Sequence, residues 1–494
     1  MAELSHYISG RSSPSRGEKA PIISPATGEE IRSLRIGLAD EVDAAVAAAK
    51  TALPSWSKLG VQHRVNILFD LRQAIVEAKD ELIALVIEET GKTLSDATAE
   101  VVRGIEAVGQ AVNTSTLYAT PYTRAASSGV NTYEVRYPVG VVAAISPFNF
   151  PVIIPLVQTM MAIACGNTVV AKPSERNPSA LLRIAELFTR AGLPDGVFNV
   201  VLGDRAAVDR LTEHPDVAAI TFVGSTPVAR QIRAKGVANN KRVQAFGGGK
   251  NHMVVMPDAD VDFAADAAVS AAYGAAGQRC MAISVVVAVG EIADPLVEAI
   301  KTRAATVKIG EVAQAASQLG PVITQQSQRR ITEYVANAAA EGAKVVLDGR
   351  EHSAGAAGWY FGPTLIDNVE PGMAVHRDEI FGPVLSVVRV ATYEEAIAVI
   401  SGHELGNGAA IFTRDGATAN RFTDDAPAGQ IGVNVPIPAP VYFHGFAGWK
   451  DSAFTETKLH GRDTIAFLTR TKTVSARWLE PTGSSLELHF PSTR

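Results

Sequence analysis

The chain has 494 residues, of which 47% are hydrophobic and 19% charged, so it is too long for one core and too apolar for a disordered protein. Its 45 Lys and Arg against 51 Asp and Glu give a net charge of -6 without runs of one sign, which argues against nucleic acid and favours a small-molecule partner. With only two cysteines and no secretory signal pattern at the start, the sequence predicts a reducing, cytoplasmic compartment.

The predicted elements form a helical stretch and then two α/β units. Apolar residues recur at helical spacing from about Asp40 to Leu117, and Gly91 is expected to end one of these helices. The β-branched runs VVAAISP, NTVVAKPS, VFNVVLGD and AAITFVGS then alternate with helical segments, which is typical of buried parallel strands joined by crossover helices. The alternation resumes after Ala259, so a second α/β unit is expected, with the break near Gly247 to Gly249.

One segment, Pro138 to Val157 (PVGVVAAISPFNFPVIIPLV), is long and apolar enough to resemble a membrane span. It contains four prolines, and each removes an amide donor and clashes with the preceding turn of a helix. A continuous helix would therefore leave backbone groups unsatisfied in lipid, and no membrane span is expected here.

Two strand ends could bind a phosphate-containing cofactor. VVAKPSERNP and ITFVGSTPVARQI each place small or polar residues where a helix is expected to begin, and helix N-termini bind phosphate. Lys172 and Glu175 could contact phosphate and ribose oxygens, whereas Gly224 and Ser225 give a weaker signal. The fingerprint GxGxxG is absent, and the alternative is that a helix simply begins after Lys172 with Glu175 as its capping acid.

Cys280, in AAYGAAGQRCMAIS, is the candidate nucleophile. The neighbouring Arg279 and the small residues before it could expose the sulfur and favour the thiolate. A lone cysteine is more often an inert buried residue, and this alternative applies more strongly to Cys165 in its apolar run. No motif has the spacing of metal ligands, so no metal is expected.

Two further polar residues have alternative interpretations. Asn149, in SPFNFP, could donate its amide to an oxyanion or could cap a turn. Glu379, in DEIFGPV, could bind a ribose or could be a surface acid.

The segments SPFNFP, KPSE, FVGST, GGGKNH, GQRC and EIFGPV stand in one order over most of the chain, and together they resemble the aldehyde dehydrogenase superfamily. The resemblance implies an α/β fold with a Rossmann-type NAD-binding domain, an α/β catalytic domain and a small β oligomerisation element, assembled as a homotetramer of two dimers. The expected boundaries are 1–125 and 142–248 for the NAD-binding domain, 249–440 for the catalytic domain, and 126–141 and 465–494 for the oligomerisation element.

The resemblance also assigns roles to individual residues. It implies that Cys280 is the nucleophile and that Asn149 is the oxyanion donor. The residues that it places around NAD are Ser146, Phe148, Lys172, Glu175, Arg176, Gly224, Ser225, Gly247, Glu379 and Phe381. An acid at Glu175, near the adenosine ribose, would repel the 2'-phosphate of NADP and so favours NAD.

A finer similarity, carried by GKNHMVVMPDAD, AAGQRCMA, GNGAAIFT, GQIGVNVPIP and TKTVSARW, is to the methylmalonate-semialdehyde dehydrogenase branch, which acylates coenzyme A. It implies oxidation of methylmalonate or malonate semialdehyde, with decarboxylation, to propanoyl-CoA or acetyl-CoA. Arg103 and Arg279 match the two arginines that bind the substrate carboxylate in that branch. From its helix alone, Arg103 would be interpreted as a surface ion pair with Glu100.

Phe246 distinguishes this chain from hydrolytic relatives, which have a glutamate four residues before the lysine of the glycine motif. Phenylalanine cannot act as a base, so a thioacyl enzyme would hydrolyse slowly and leave time for a thiol such as coenzyme A to attack. The alternatives are a hydrolytic aldehyde dehydrogenase that uses another base and forms a free acid, or a catalytically silent binding protein on the same fold.

Overall fold

The computed structural model describes residues 3–353 and 357–478. Residues 479–494, which belong to the predicted oligomerisation element, lie outside this range. Within it the chain forms two large, mainly parallel sheets flanked by helices, together with smaller sheets. The expected α/β architecture is confirmed.

Residues 3–138 combine short strands with the predicted helical stretch. One of its helices ends before Gly91, which adopts the left-handed conformation and caps the helix as expected. The strands are Glu3–Leu4 (β1), His6–Ile8 (β2), Arg11–Ser13 (β3), Lys19–Ile23 (β4), Glu30–Arg35 (β5), Tyr122–Ser127 (β6) and Val130–Pro138 (β7). The helices are Ala39–Lys58 (α1), Val61–Glu77 (α2), Lys79–Thr90 (α3), Leu94–Val112 (α4) and Thr114–Leu117 (α5). Strands β1, β5 and β4 form a small sheet of their own.

The first large sheet is built from the buried β-branched runs. Its parallel strands are Val141–Ile145 (β8), Thr168–Lys172 (β9), Phe198–Val200 (β10), Val217–Val223 (β11) and Arg242–Phe246 (β12). The connecting helices are Ile153–Ala164 (α6), Ser179–Arg190 (α7), Arg205–Glu213 (α8) and Thr226–Ala238 (α9). The continuous apolar runs follow from burial on both faces, since helices cover each side of the sheet.

The second large sheet begins after the glycine run. Its strands are Asn251–Val255 (β13), Ile283–Val289 (β14), Lys344–Leu347 (β15), Thr364–Asp367 (β16), Val384–Val390 (β17), Gly408–Phe412 (β19) and Gln430–Val433 (β20), with the short strand Leu405–Gly406 (β18) outside it. The helices of this part are Val261–Tyr273 (α10), Ala293–Ala304 (α11), Gln325–Ala340 (α12), Ala374–Arg377 (α13), Tyr393–Gly402 (α14) and Gly416–Asp425 (α15). All strand pairs in this sheet are parallel except the edge pair of β15 and β16.

The last described elements return to earlier parts of the chain. They are Trp449–Lys450 (β21), Ala453–Phe454 (β22), Arg462–Leu468 (α16) and Thr469–Arg477 (β23). Strand β21 pairs with β18 and β22 pairs with β12, while β23 pairs with β7 along its whole length in a three-stranded antiparallel sheet with β6. The role of this last sheet in oligomerisation stays a prediction.

Strands β2 and β3 also join the first large sheet, on the side of β10.

Among the described residues, no helix combines the length and the apolar character needed to cross a membrane.

Candidate active site

The order of strands in the first sheet creates a crevice. From β8 the chain adds β9 and β10 on one side and then β11 and β12 on the other, so the direction of winding reverses between β8 and β11. In open α/β sheets, ligands bind at such a switch point, outside the carboxyl ends of the strands. Ser146, Lys172, Gly224 and Gly247 stand at the carboxyl ends of β8, β9, β11 and β12, so the sheet brings four of the predicted cofactor residues to one edge.

The segment after β9 is a turn and not the start of a helix. Helix α7 begins at Ser179, and its preceding residue is Pro178. The alternative interpretation of Glu175 as a capping acid is therefore wrong. The buried Lys172 instead places its Nζ 3.3 Å from Glu175 Oε2, while Arg176 is exposed. An ammonium and a carboxylate thus stand together at the edge of the sheet.

Helix α9 begins after an exposed serine at the same edge. Ser225 precedes the helix, but its side chain makes no capping hydrogen bond. The Ser225 hydroxyl and the first-turn amides, apart from Pro227, which has no N–H, can therefore bind an anionic group.

A loop from the second sheet faces the glycine run. Glu379 Oε1 accepts a hydrogen bond from the amide of Gly249 at 3.0 Å, and a Cβ at Gly248 would lie only 2.1 Å from Glu379 Oε2. The ring of Phe381 meets the ring of Phe148 edge to face, with centroids 5.8 Å apart. Glu379 is thus half-buried against the glycine run, and the surface-acid interpretation is wrong.

Cys280 lies three residues before β14, at the junction of the two sheets. Its carbonyl oxygen accepts hydrogen bonds from the side-chain amides of Asn251, at 3.0 Å, and Asn407, at 2.9 Å. Asn149 is buried, and its Nδ2 donates to the carbonyl of Gln278 at 3.1 Å. The Asn149 amide is therefore held beside the segment that leads to Cys280 and does not cap its own turn.

The pKa of the Cys280 thiol differs from the sequence expectation. Burial raises it to about 11, and the negative charge of Glu379 acts in the same direction. Arg279 lowers the pKa, but this is the smaller effect. The pKa therefore shifts in the direction opposite to the one expected from Arg279, because burial and Glu379 outweigh the arginine. Cys165 is fully buried, and burial raises its pKa to about 12, which fits the inert alternative.

A cavity of about 280 Å³ opens at Cys280. Its walls come from α4, the start of α6, the end of β12 and the loop before β21. The lining includes both predicted carboxylate-binding arginines together with large aromatic and polar side chains: Arg103, Arg279, Phe150, Phe246, Tyr442 and His460. Cys280 comes from the segment before β14 of the second sheet, and the helices of the first part supply the wall opposite it.

The charges in this cavity are paired internally. Arg279 Nη2 lies 2.5 Å from Asp96 Oδ1, and Arg103 Nη1 lies 3.0 Å from Glu106 Oε2. The expected pair of Arg103 with Glu100 is wrong, because the buried Glu100 binds Lys92 instead. A helix pattern shows which residues lie one turn apart, but it does not show that Lys92, before the helix, is closer.

The guanidinium of Arg103 is also fixed by an aromatic neighbour. It lies 4.7 Å from the centre of the Tyr442 ring, and the Tyr442 hydroxyl donates to the Arg103 carbonyl at 2.9 Å. His460 packs edge to face on the same ring at 5.2 Å, and burial lowers its pKa to about 4. Both residues are far from Arg103 in sequence, so no spacing rule could have found them.

Comparisons with known proteins agree with this geometry. The model of the aldehyde dehydrogenase family matches residues 12–474. Over its full length the chain is 44% identical to a malonate-semialdehyde dehydrogenase of Pseudomonas aeruginosa, which is itself fully covered. It is 46% identical to a malonate-semialdehyde dehydrogenase of Geobacillus thermodenitrificans, with 96% of this chain and 99% of the relative covered.

Solved structures are similar along nearly the whole chain. The crystal structure of a methylmalonate-semialdehyde dehydrogenase from Oceanimonas doudoroffii superposes with a TM-score of 0.96 at 43% identity, covering 97% of this chain and 99% of that one. A Sinorhizobium meliloti structure complexed with NAD has a TM-score of 0.96 at 44% identity, with coverage of 98% and 99%. The chain therefore belongs to the aldehyde dehydrogenase family and is an oxidoreductase.

Proposed function

We propose that the protein oxidises malonate or methylmalonate semialdehyde with NAD and transfers the acyl group to coenzyme A. One observation carries this proposal: a single cavity contains Cys280, two arginines and Phe246. The similarity to relatives described as malonate- and methylmalonate-semialdehyde dehydrogenases supports the choice of substrate.

The residues at the strand ends suit NAD. A helix N-terminus without a capping side chain at Ser225 suits the pyrophosphate, and the carboxylates of Glu175 and Glu379 suit ribose hydroxyls. The relative solved with NAD supports the same choice. When bound, NAD supplies the acceptor for the hydride.

In the proposed reaction the Cys280 sulfur loses its proton to water in the cavity and forms a bond to the aldehyde carbon. The carbonyl oxygen becomes an oxyanion, which the Asn149 amide and the backbone amide of Cys280 stabilise by hydrogen bonding. Asn149 Nδ2 has two N–H donors, and one of them donates to the carbonyl of Gln278, so the second can donate to the oxyanion. Loss of hydride from the carbon leaves a thioester on Cys280.

The carboxylate of the substrate has two cations available in the cavity. Guanidinium groups bind carboxylates through paired hydrogen bonds, and both arginines line the wall near the nucleophile. Each already has one acidic partner, Asp96 or Glu106, so the substrate carboxylate adds to an existing pair. Once the thioester has formed, the carboxylate β to it can leave as carbon dioxide. The electron pair of the broken C–C bond passes into the thioester as an enolate, and the carbon then takes a proton from water.

Phe246 favours a thiol as the acceptor of the acyl group. It is buried in the wall of the cavity, and its ring cannot remove a proton from water. A thiol needs less help, because it is more acidic than water and is a stronger nucleophile. The coenzyme A sulfur then forms a bond to the thioester carbon, the bond from that carbon to Cys280 breaks, and the thiol proton of coenzyme A passes to the Cys280 sulfur.

The substrate assignment is tested with Arg103→Leu. We expect kcat/KM for malonate semialdehyde to fall by the equivalent of roughly 2 to 3 kcal/mol, because a charged hydrogen-bonding partner is lost. Propanal has no carboxylate, so its kcat/KM should stay near the wild-type value. NADH formation measures both.

Arg303→Leu is the matched control, since Arg303 pairs with the acidic residues Asp262 and Asp266 far from the cavity. Its kcat/KM should stay near the wild-type value with both malonate semialdehyde and propanal. Equal losses with both substrates in Arg103→Leu would assign Arg103 a structural role and would contradict the proposal.

A further inference from the structure

The turn before the nucleophile adopts an unusual backbone. Ala275 and Ala276 have φ values of 51° and 54°, and Gly277 follows with a φ of 69°. Alanine disfavours this left-handed conformation because its Cβ crowds the following carbonyl oxygen. Two consecutive alanines of this kind persist only when surrounding contacts hold them, and they stand five and four residues before Cys280.

Asp96 makes one of these contacts. Its Oδ2 accepts a hydrogen bond from the amide of Ala275 at 3.1 Å and another from the Thr93 hydroxyl at 3.1 Å. Because Asp96 lies in the first turn of α4, it links the turn to a long buried helix. The other end of the turn, at Gly277, is held by close packing against Gly382. A Cβ at Gly277 would lie 2.2 Å from the Gly382 carbonyl oxygen.

The other oxygen of Asp96 binds Arg279. Arg279 Nη2 lies 2.5 Å from Asp96 Oδ1, and a Cβ at Gly274 would lie 2.6 Å from Arg279 Nη1. The guanidinium is thus confined between this carboxylate and the backbone of the turn. Asp96 is largely buried, with 14% of its side chain exposed, so little water competes for either oxygen.

We propose that Asp96 is a positioning residue that holds the nucleophile turn with one carboxylate oxygen and the substrate-binding arginine with the other. The support of the nucleophile turn requires only that Cys280 takes part in aldehyde oxidation, whatever the substrate. The second half rests on the proposed binding of the substrate carboxylate by Arg279. Through Asp96, the cation that recognises the substrate and the backbone that presents Cys280 share one support on α4.

Asp96→Asn tests both halves, because an amide has one oxygen and cannot accept from both Ala275 and Arg279 in the same way. We expect kcat with propanal to fall roughly 10- to 100-fold, as small displacements of a reacting group reduce rates by such factors. KM for malonate semialdehyde should also rise. The matched control is Asp415→Asn, the same change at the exposed start of α15, and it should leave both values unchanged.

The decisive variant is Asp96→Asn combined with Ala275→Gly. Glycine adopts the left-handed conformation freely, so the turn no longer depends on the carboxylate. We expect propanal kcat to recover most of its loss while KM for the semialdehyde stays raised. If Asp96→Asn instead caused a general loss of structure, Ala275→Gly would not restore propanal kcat while leaving KM for the semialdehyde raised. An unchanged propanal kcat in Asp96→Asn, or no recovery in the double variant, would overturn the proposal.

A second route covers the case that Asp96→Asn does not fold. Ala275→Val weakens the turn while keeping Asp96 and Arg279 paired, because β-branched residues resist a positive φ. Its propanal kcat should fall, and wild-type activity would contradict the proposal. A failure of the substrate assignment is visible separately, as equal losses for propanal and semialdehyde in Arg279→Leu.

Discussion

Phe246 is the last residue of β12, and only 2% of its surface is exposed. Its ring packs in the core on one side and lines the cavity at Cys280 on the other. The same side chain therefore packs in the core and leaves the cavity wall without a base. In the proposed reaction the absence of a base decides which acceptor releases the acyl group.

The role of Phe246 is tested by Phe246→Glu. A carboxylate in this wall can act as a general base, and such catalysis contributes roughly 10²- to 10⁴-fold in favourable geometry. We expect turnover of propanal without coenzyme A, with propanoate as product, to rise at least about 10-fold. The measurement is NADH formation together with chromatography of the acids.

Phe246→Gln is its control, since glutamine has nearly the same size and polarity but cannot take a proton. An equal rise in both variants would show that space for water, and not a base, limits hydrolysis. Thermal unfolding of both variants checks that the polar group is tolerated in this buried position.

Three elements of the second half bring histidines together. His252 lies in β13, His376 in α13, and His403 ends α14. The Nε2 atoms of His252 and His376 are 3.3 Å apart, and His403 Nε2 lies 3.2 Å from the carbonyl oxygen of His376. Burial lowers the pKa of all three, that of His376 to about 4, and the positive charge of Lys250 acts on each in the same direction.

This cluster predicts a pH dependence of stability. His376 has a pKa of 6.5 in the unfolded chain and of about 4 in the folded protein. Between these two pH values it is therefore largely protonated when unfolded and largely neutral when folded. The unfolded state therefore binds more protons between these values, and the free energy of unfolding falls as pH drops from about 6.5 to about 4. His376 alone should contribute roughly 3 kcal/mol to this fall.

The measurement is denaturant unfolding of wild type and His376→Gln at several pH values. Other histidines, such as His460, also titrate in this range, so the comparison between the two proteins isolates His376. The variant should lose less stability than the wild type between pH 6.5 and 4. Equal slopes would contradict the assignment.

The elements that periodicity could predict are those with long or repeated local signals. The helices from α1 to α5 and strands β8, β9, β10 and β11 follow the expected segments closely. The two-residue strand β22 and the three-residue strands β2 and β3 carry no period, and their places in the first sheet depend on the rest of the fold. Short edge strands are therefore visible only in the structure.

At the site, the sequence predicted residue identities better than pairings. Arg103 and Arg279 both line the cavity at Cys280, as the family pattern implies. The pairing of Lys92 with Glu100 is visible only in the structure, and so is the burial that, with Glu379, raises the Cys280 pKa. A pKa depends on burial and on every neighbouring charge, so one adjacent arginine in the sequence was an insufficient guide.

On the scale of the whole molecule, the site lies where the two large sheets meet. The first sheet ends at Phe246 and the second begins at Asn251, so the glycine run between them crosses the junction. Most of the predicted cofactor residues come from the strand ends of the first sheet, and Cys280 and Glu379 come from the second. In the proposed reaction, this division lets the second sheet present Cys280 to NAD bound at the first.

The most direct test of the proposed reaction is the acyl product formed from malonate semialdehyde with NAD, in the presence and absence of coenzyme A. Chromatography identifies the product, and NADH formation gives the rate. We expect sustained turnover only with coenzyme A, yielding acetyl-CoA, because Phe246 leaves the thioester without a general base. Sustained turnover without coenzyme A, yielding a free acid, would show that another group activates water and would contradict the acylating function.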